Sequence, residues 1–199
     1  MHSKLAWSDT GAMNVVPVLQ IIGYKNSGKT TLACKLISEL TACGLRVGSA
    51  KHDAHEFQLD DDGTDSRRHL SHGALETVLT SKSATRVMSQ APMTLDEIAG
   101  SMYGRVDILI AEGFKSAHYP KIALLREMDE QQKLLREASN IRLWISWAEI
   151  GEQGHKHEQQ QGNPVSPSKF TSNSPIPILS LKDETTVIKS ALHLALSLL

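Results

Sequence analysis

The sequence predicts an α/β fold, in which a mostly parallel β-sheet has helices on both faces. Three observations support this prediction. Apolar segments of strand length alternate with segments of helical periodicity. The two strongest strand signals, residues 15–22 and 105–111, are rich in branched apolar residues, as buried parallel strands are. A glycine-rich turn joins the first of these strands to a helix, which is a common start for such a sheet.

The glycine-rich turn, residues 23–30, has the sequence G-Y-K-N-S-G-K-T and matches the pattern G-x-x-x-x-G-K-[ST]. The strand before it and a helix predicted over residues 31–43 argue against a chance match. The turn amides and the positive end of the helix dipole surround an anion in such a loop. Lys29 adds charge near the terminal phosphates, and the Thr30 hydroxyl can ligate Mg²⁺. The predicted fold class is therefore a P-loop NTPase.

The remaining elements follow in order. A second strand is predicted over residues 45–51, and Thr64 begins a short helix with capping-type residues. Thr94 and Glu97 form a capping box for a helix that reaches about Tyr103. Further strands are predicted by apolar runs at residues 76–80, 105–111, 122–125, 141–147 and 176–181. An apolar helix over residues 191–199 closes the fold.

The predicted organisation is a loose tail over residues 1–14 and a single domain over residues 15–199. Residues 151–174 are rich in Gln, Gly, Ser, Asn and Pro, so we expect a flexible insertion there. The chain has 199 residues, which suits one α/β domain.

The bulk composition excludes some classes of partner. A net charge of −1 argues against a general nucleic-acid or membrane-surface binder. Cys34 and Cys43 lie nine positions apart on the first helix, on opposite sides, so they cannot pair with each other. We expect both to be buried thiols of a reducing compartment, and we predict a cytoplasmic protein.

Two carboxylates are candidates for the chemistry that a P-loop needs beside it. Glu112 directly follows an apolar strand, so it can lie beside the P-loop and hold Mg²⁺, whereas Asp107 sits at the wrong end of that strand. Asp53 follows the second strand and is a candidate to orient the attacking water. The alternative for Asp53 is a turn or N-cap residue. Lys29 and Asp53 are the candidate catalytic residues.

Other polar residues are candidates for contacts with substrate or partner. His52 and His55 could share a metal if helical, but no cysteine joins them, so hydrogen bonding to phosphate or substrate is the preferred interpretation. Asp65 and Arg67 at a helix start, and Lys115 after Glu112, could reach an anionic ligand. Lys121 could do the same. The alternative for each basic residue is a solvated surface charge.

Two further groups are expected to be structural. The run of Asp60, Asp61 and Asp62 is expected to be a solvated loop. Trp144 and Trp147 are expected to serve in core or interface packing and not as a platform for bases.

Five blocks together resemble a known family. They are G-Y-K-N-S-G-K-T-T-L, K-H-D-A-H-E-F-Q-L-D, G-T-D-S-R-R-H, A-E-G-F-K and P-K-I, within about residues 18–126. This combination resembles the molybdopterin-guanine dinucleotide biosynthesis adapter family, MobB. The blocks after the P-loop are more specific than the P-loop, since they are not general NTPase signatures.

The resemblance implies a GTP-binding P-loop fold of the class of the signal-recognition and nitrogenase-iron proteins. It also implies a homodimer and weak GTPase activity with Mg²⁺, in support of the MobA guanylyltransferase that joins GMP to molybdopterin. Asp53 and Glu112 match strand-end residues near Mg²⁺ and water. The implied phosphate-binding residues are Gly23, Tyr24, Lys25, Asn26, Ser27, Gly28, Lys29, Thr30 and Thr31.

Guanine selection is not visible in the residues. An N-K-x-D or T-K-x-D segment is lacking, and Lys182-Asp183 is a weak substitute by its spacing. Three other functions stay open: a GTP-driven metallochaperone, suggested by nine histidines, a small-molecule kinase or ligase, and a non-catalytic module in which nucleotide locks a dimer.

Overall fold

The computed structural model describes residues 14–53, 56–147 and 176–199. Their contacts divide into two compact units, a sheet unit up to His52 and from Ala99 onward, and a hairpin unit from Asp53 to Ile98. The predicted insertion over residues 151–174 and nearly all of the predicted tail lie outside the described residues.

The sheet unit is built on six strands in the order β2-β5-β1-β6-β7-β8, and every neighbouring pair is parallel. The strands are β1 (Val18–Gly23), β2 (Val47–Lys51), β5 (Ile108–Glu112), β6 (Lys121–Leu125), β7 (Ile141–Ser146) and β8 (Ile178–Ser180). Its helices are α1 (Lys29–Ala42), α4 (Asp129–Glu137) and α5 (Glu184–Leu196). The predicted parallel α/β sheet is confirmed.

Two apolar clusters lie in the sheet unit, because alternate residues of a strand point to opposite faces. Leu19 and Ile21 of β1 join one cluster, and Ile22 joins the other. The first cluster contains the buried residues of α1 and α5, at helical spacing. The second contains Leu134 of α4 and Trp144 of β7. The central strands β1 and β6 are therefore covered on both sides, which explains their near-continuous apolar sequence.

The hairpin unit consists of α2 (Asp65–Ser71) and an antiparallel pair, β3 (Glu76–Thr80) and β4 (Thr85–Ser89). The helix α3 (Leu95–Met102) begins in this unit. Thr64 caps α2 by accepting a hydrogen bond from the Arg67 amide, as predicted. The capping box is also confirmed, since Glu97 and Thr94 bond each other's backbone amides.

Two elements escaped prediction. β4 pairs with β3 in a separate hairpin, so the third predicted strand is not part of the parallel sheet. The sequence of β4, T-R-V-M-S, has only two apolar residues, and one of them is exposed. The helix α4 is mostly charged and buries only Leu134 on its length. Weak apolar patterns of this kind give little signal.

The interpretation of Asp60 as a solvated loop charge was wrong. Its side chain is only 4% exposed and accepts hydrogen bonds from Ser66, from Thr64 at 2.9 Å and from Arg86 at 3.1 Å. These donors hold the pKa of Asp60 below its ordinary value, chiefly through Ser66 and Thr64. Asp60 thereby ties the start of α2 to β4 within the hairpin unit.

The prediction of buried cysteines was also wrong. The apolar face of α1 is formed by Leu32, Leu36 and Leu40, and both Cys34 and Cys43 fall off that face and are exposed. Among the described helices, none combines the length and apolar character that a membrane crossing requires.

Candidate nucleoside triphosphate site

The turn after β1 has a backbone that only its glycines permit. A Cβ on Gly23 would lie 2.6 Å from the Ser27 Oγ and 2.8 Å from the Leu124 carbonyl oxygen. Gly28, at the N-cap of α1, has a φ of 94°, in the left-handed region that favours glycine. Asn26 also has a positive φ, of 60°. The G-x-x-x-x-G spacing of the sequence is therefore required by the packing of this loop.

The interior of the loop is rich in hydrogen-bond donors. Among the described residues, no side chain caps α1, and its first turn carries no acidic residue, so its terminal amides remain available to an anion. The Ser27 hydroxyl is fully buried and has no hydrogen-bond partner among the described residues. Lys29 reaches across the loop, where its Nζ donates to the Tyr24 carbonyl at 2.7 Å. Burial lowers the pKa of Lys29, and the nearby Glu112 opposes this effect.

Thr30 and Glu112 meet beside the loop, as the sequence predicts for a metal site. The Thr30 Oγ1 donates to the Glu112 Oε2 at 2.8 Å, and Glu112 is the last residue of β5, which pairs with β1. A hydroxyl and a carboxylate at this separation are hard oxygen ligands of the kind that Mg²⁺ prefers. Asp107, which precedes β5, instead forms an ion pair with Arg46, with 2.6 Å between its Oδ1 and the Arg46 Nη2.

The segment after β5 is held by a residue that sequence reasoning missed. Gln20 is fully buried in β1, and its Nε2 donates to the carbonyl oxygens of Gly113 at 3.0 Å and Phe114 at 2.7 Å. The signal was a single amide in the otherwise apolar strand V-L-Q-I-I-G. His52 lies against the same segment, where its backbone amide donates to the Glu112 carbonyl at 2.9 Å and its ring meets that of Phe114. Glu112 therefore emerges from a fixed backbone.

A second network joins the P-loop to α4. The Tyr24 hydroxyl donates to the Glu137 Oε1 at 2.7 Å, and the Lys115 Nζ pairs with the Oε2 of the same carboxylate at 2.6 Å. The Lys115 ammonium also lies 4.0 Å from the centre of the Tyr24 ring. Burial and the bond to Glu137 raise the pKa of Tyr24 to about 12, and Lys115 lowers that of Glu137. Lys115 thus contacts the P-loop residue Tyr24 and forms an ion pair with Glu137, and its contact with an anionic ligand stays a prediction.

Trp147 also lies on the P-loop, which the sequence did not indicate. Its indole Nε1 donates to the Ser27 carbonyl at 2.8 Å, and its ring atom Cζ2 lies 3.4 Å from where a Cβ on Gly28 would be. Trp147 is 50% exposed, whereas Trp144 is 1% exposed in the core. The expectation of core or interface packing is confirmed for Trp144, which lies in the core. Trp147 is not a core residue, and its packing at an interface stays a prediction.

The interpretation of Lys121 as an anion ligand was wrong. Lys121 begins β6 and is fully buried. Its Nζ donates to the carbonyl oxygens of Ala117 and of Tyr119, the latter at 2.9 Å. Desolvation lowers the pKa of this amine to about 8. Lys121 is therefore a structural residue of the loop that leads into β6.

The remaining predicted residues belong to the hairpin unit or lie outside the described chain. Asp53 is the first residue of the hairpin unit, and His55 is outside the described residues. Asp65 pairs with Arg68 at 3.5 Å, and Arg67 lies 3.7 Å from Asp62. A surface cavity of about 300 Å³ is lined by Asp65, Arg68, His69 and His72. The roles predicted for Asp53, His55, Asp65 and Arg67 stay predictions.

The sheet unit thus fits a triphosphate with its metal ion. Helix amides, the Lys29 ammonium and a buried hydroxyl that has no partner in the described part of the chain converge on one loop, and a hydroxyl and a carboxylate suited to Mg²⁺ lie beside it. In the described parts of the chain, no group of three or more His, Cys, Asp or Glu residues is placed to hold a metal ion. The fold and the loop define a P-loop NTPase-type α/β protein.

Comparison with known proteins specifies the family. Residues 18–147 match the family model of MobB, molybdopterin guanine dinucleotide synthesis protein B. The molybdopterin-guanine dinucleotide biosynthesis adapter protein of Haemophilus influenzae is 40% identical over 137 residues, which span 67% of this chain and 75% of that protein. The Escherichia coli adapter protein is 34% identical over 57% of this chain and 67% of its own. This chain belongs to the MobB family.

Solved structures agree with this assignment. The crystal structure of Bacillus subtilis MobB has a TM-score of 0.66 at 26% identity and covers 89% of this chain and 96% of its own. The MobB homolog from Bacillus stearothermophilus has a TM-score of 0.62 at 26% identity, over 90% of this chain and 98% of its own. The sequence resemblance to the MobB family is therefore confirmed.

Proposed function

We propose that this protein is a GTP-binding adapter in molybdopterin guanine dinucleotide synthesis that supports the MobA guanylyltransferase. The observation that carries the nucleotide part is the Thr30–Glu112 pair, which places a carboxylate and a hydroxyl beside a P-loop that contains Lys29. The pathway and the preference for GTP rest on family membership.

The triphosphate, its metal ion and the attacking water each have proposed contacts. The loop from Gly23 to Thr31 holds the phosphates through its amides, and Lys29 exchanges its bond to the Tyr24 carbonyl for one to phosphate. Thr30 and Glu112 hold Mg²⁺, directly or through water. Asp53 orients the attacking water. His52, His55, Asp65, Arg67 and Lys115 are proposed contacts to substrate or partner.

We propose weak GTPase activity and a switching role. When the P-loop binds phosphate, the Lys29 bond to Tyr24 is released, and Tyr24 is the residue that joins the loop to Glu137 and Lys115. Binding of the nucleotide can therefore change the contacts of α4 without rapid hydrolysis of GTP. An adapter needs such a binding-dependent change more than it needs a high rate of hydrolysis.

We also propose a homodimer, and the hairpin unit offers a surface for it. Val78 and Val87 are opposite each other in β3 and β4, and both are more than half exposed, at 57% and 59%. A two-stranded sheet also has unpaired strand edges, which readily pair with another chain. A second copy of this chain would cover the apolar face of one hairpin with its own.

The test of nucleotide binding is a competition titration of GTP and ATP with Mg²⁺ on the purified protein, with molybdopterin and MobA each present or absent. We expect the affinity for GTP to be much higher than the affinity for ATP, and we expect the protein to associate with MobA or molybdopterin. Lys29→Ala should lose triphosphate binding, whereas Lys189→Ala, a change at an exposed lysine of α5 outside the loop, should retain it. Equal affinity for the two nucleotides, with no association, would overturn the proposal.

The test of the dimer is sedimentation velocity on wild-type protein and on Val87→Glu. We expect the wild type to sediment as a dimer and the variant as a monomer at the same concentration. Leu79→Glu, an exposed apolar-to-Glu change on the opposite face of the same hairpin, is the matched control and should stay dimeric. A monomeric wild type, or a dimeric Val87→Glu, would contradict this interface.

A further inference from the structure

We propose that the indole of Trp147 is the stacking platform for the nucleobase of the bound triphosphate. This inference rests on the proposed nucleotide binding and extends it to a part of the ligand that the P-loop itself does not contact. Its basis is the position of one half-exposed aromatic ring on the P-loop, together with the order of the strands.

The position of Trp147 is fixed at three points. Its backbone amide donates to the Leu125 carbonyl at 2.9 Å, at the end of β6. Its indole N–H donates to the Ser27 carbonyl at 2.8 Å, and its six-membered ring lies against Gly28. Because the only polar atom of the indole is already bonded, what remains for a ligand is the apolar π surface.

The strand order indicates that this ring lies at the part of the sheet edge over which the nucleoside of the bound ligand would extend. In an open parallel sheet, ligands bind outside the carboxyl ends of the strands. The P-loop follows β1, and β1 has β5 on one side and β6 on the other, with β7 next after β6. On the β5 side of the P-loop lies Glu112, the proposed ligand of the metal ion that accompanies the phosphates. The ribose and base are therefore expected over β6 and β7, about 10 Å along the edge, where Trp147 follows β7.

The exposure of Trp147 distinguishes it from a core residue. Trp144, three residues earlier in β7, is 1% exposed and packs with Leu134 and Ile22. Trp147 leaves half of its surface in contact with water while it touches the P-loop. An indole that is held in place and half exposed is well suited to stack on a purine.

A platform of this kind contributes affinity but little selection, since every base has a π face. The Asp183 carboxylate is not assigned to guanine selection, because it caps α5: it accepts a hydrogen bond from the Thr186 amide at 3.1 Å. Loss of the indole should therefore weaken the binding of GTP and the binding of ATP by a similar factor.

The experiment is calorimetric titration of the full chain with Mg²⁺ and, in turn, GTP, ATP and inorganic tripolyphosphate. We expect Trp147→Ala to weaken GTP and ATP by about 10- to 100-fold, and to leave tripolyphosphate affinity within about twofold. Trp147→Phe keeps a ring but lacks the indole N–H, so it should retain most of the GTP affinity and controls for misfolding. GTP, but not tripolyphosphate, should quench tryptophan fluorescence in the wild type and not in Trp147→Phe.

The outcomes separate the two proposals. Unchanged GTP affinity in Trp147→Ala would overturn the platform, and so would an equal loss of tripolyphosphate, which would make Trp147 a support of the P-loop only. A wild type that binds tripolyphosphate as tightly as GTP would also overturn it. A wild type that binds neither ligand would instead overturn the proposed nucleotide binding itself.

Discussion

The Thr30 hydroxyl, in the first turn of α1, donates a 2.8 Å hydrogen bond to the Glu112 carboxylate at the end of β5. These residues are 82 positions apart in the chain. They meet because β5 is paired with β1, so that the end of β5 and the turn after β1 share one edge of the sheet. The pair places two oxygen atoms of the kind that Mg²⁺ prefers beside the P-loop, whose motif is typical of phosphate binding.

Removal of the Glu112 charge should uncouple nucleotide binding from Mg²⁺. In Glu112→Gln the side chain can still accept from Thr30, but it is a poorer ligand for the metal ion. We expect the Mg²⁺-dependent gain in GTP affinity to fall about 10- to 100-fold, while affinity without Mg²⁺ is kept. Titration of GTP with and without Mg²⁺ measures both quantities.

The matched control for that measurement is Asp107→Asn. Asp107 flanks the same strand at its other end and is paired with Arg46, so its loss should reduce stability without changing the effect of Mg²⁺. Equal Mg²⁺ dependence in wild type and Glu112→Gln would remove Glu112 from the metal site.

Alanine at Gly23 should abolish phosphate binding. Its Cβ would lie 2.8 Å from the backbone oxygen of Leu124, which cannot move without shifting β6, so the loop must deform. We expect a loss of about 1–3 kcal/mol in the free energy of unfolding and no measurable binding of GTP. Chemical denaturation and titration with GTP test the two parts.

Gly44→Ala provides the comparison for Gly23→Ala. Gly44 also has a positive φ, of 86°, but a Cβ there would meet nothing within 4 Å. This variant should lose about 1–2 kcal/mol through backbone strain alone and should bind GTP normally. A Gly23→Ala protein that binds GTP as the wild type does would show that the close packing of the loop is not required.

The buried amine of Lys121 should give stability a characteristic dependence on pH. Its pKa is about 8 in the folded protein and ordinarily 10.5, so the folded state releases its proton first. The cost of burying the charge is present below about pH 8 and is relieved as the pH rises toward 10.5. The difference in unfolding free energy between wild type and Lys121→Met should therefore be flat below pH 8. Above it, the difference should rise by up to about 1.4 kcal/mol per pH unit.

Denaturant titrations of both proteins from pH 6 to pH 10 measure that difference. Other groups titrate in the same range, but they are common to the two proteins and cancel. A difference that stays constant across pH 8–10 would show that the Lys121 amine keeps its ordinary pKa.

The carboxylate of Asp60 should stabilise the hairpin unit only while it is ionised. Its pKa is lowered in the folded protein, so this contribution is complete above about pH 4, the ordinary value, and is lost as the pH falls through the folded pKa. The Tm of Asp60→Asn should be well below that of the wild type at pH 7, and the gap should narrow below pH 4. Thermal unfolding across pH 3–7 is the measurement.

Asp61→Asn is the control for Asp60→Asn, because Asp61 is the exposed neighbour in the same loop. It should leave Tm nearly unchanged at every pH. If Asp60→Asn lowers the Tm equally at pH 3 and at pH 7, its effect is a packing defect and not the loss of a charge.

Local signals were sufficient for much of the fold and for the position of Glu112 beside the P-loop. The P-loop motif, the capping box at Thr94 and the apolar strands 108–112 and 121–125 depend on neighbours in sequence, and the structure contains each of them. Glu112 could be placed near the loop because parallel strands end at one edge. The hairpin strand β4 and the helix α4 were missed, since each buries only one residue and so lacks a strong apolar period.

The sequence by itself determined that this chain folds as a P-loop α/β protein and belongs with MobB, because glycine spacing and block motifs are local and specific. Only the tertiary structure decided which distant side chains serve the loop. Gln20 holds the Glu112 segment, Glu137 connects Lys115 with Tyr24, and Trp147 bonds Ser27 from 120 residues away. Such pairings depend on strand order and on side-chain direction across the sheet, and neither is encoded in the spacing of residues along the chain.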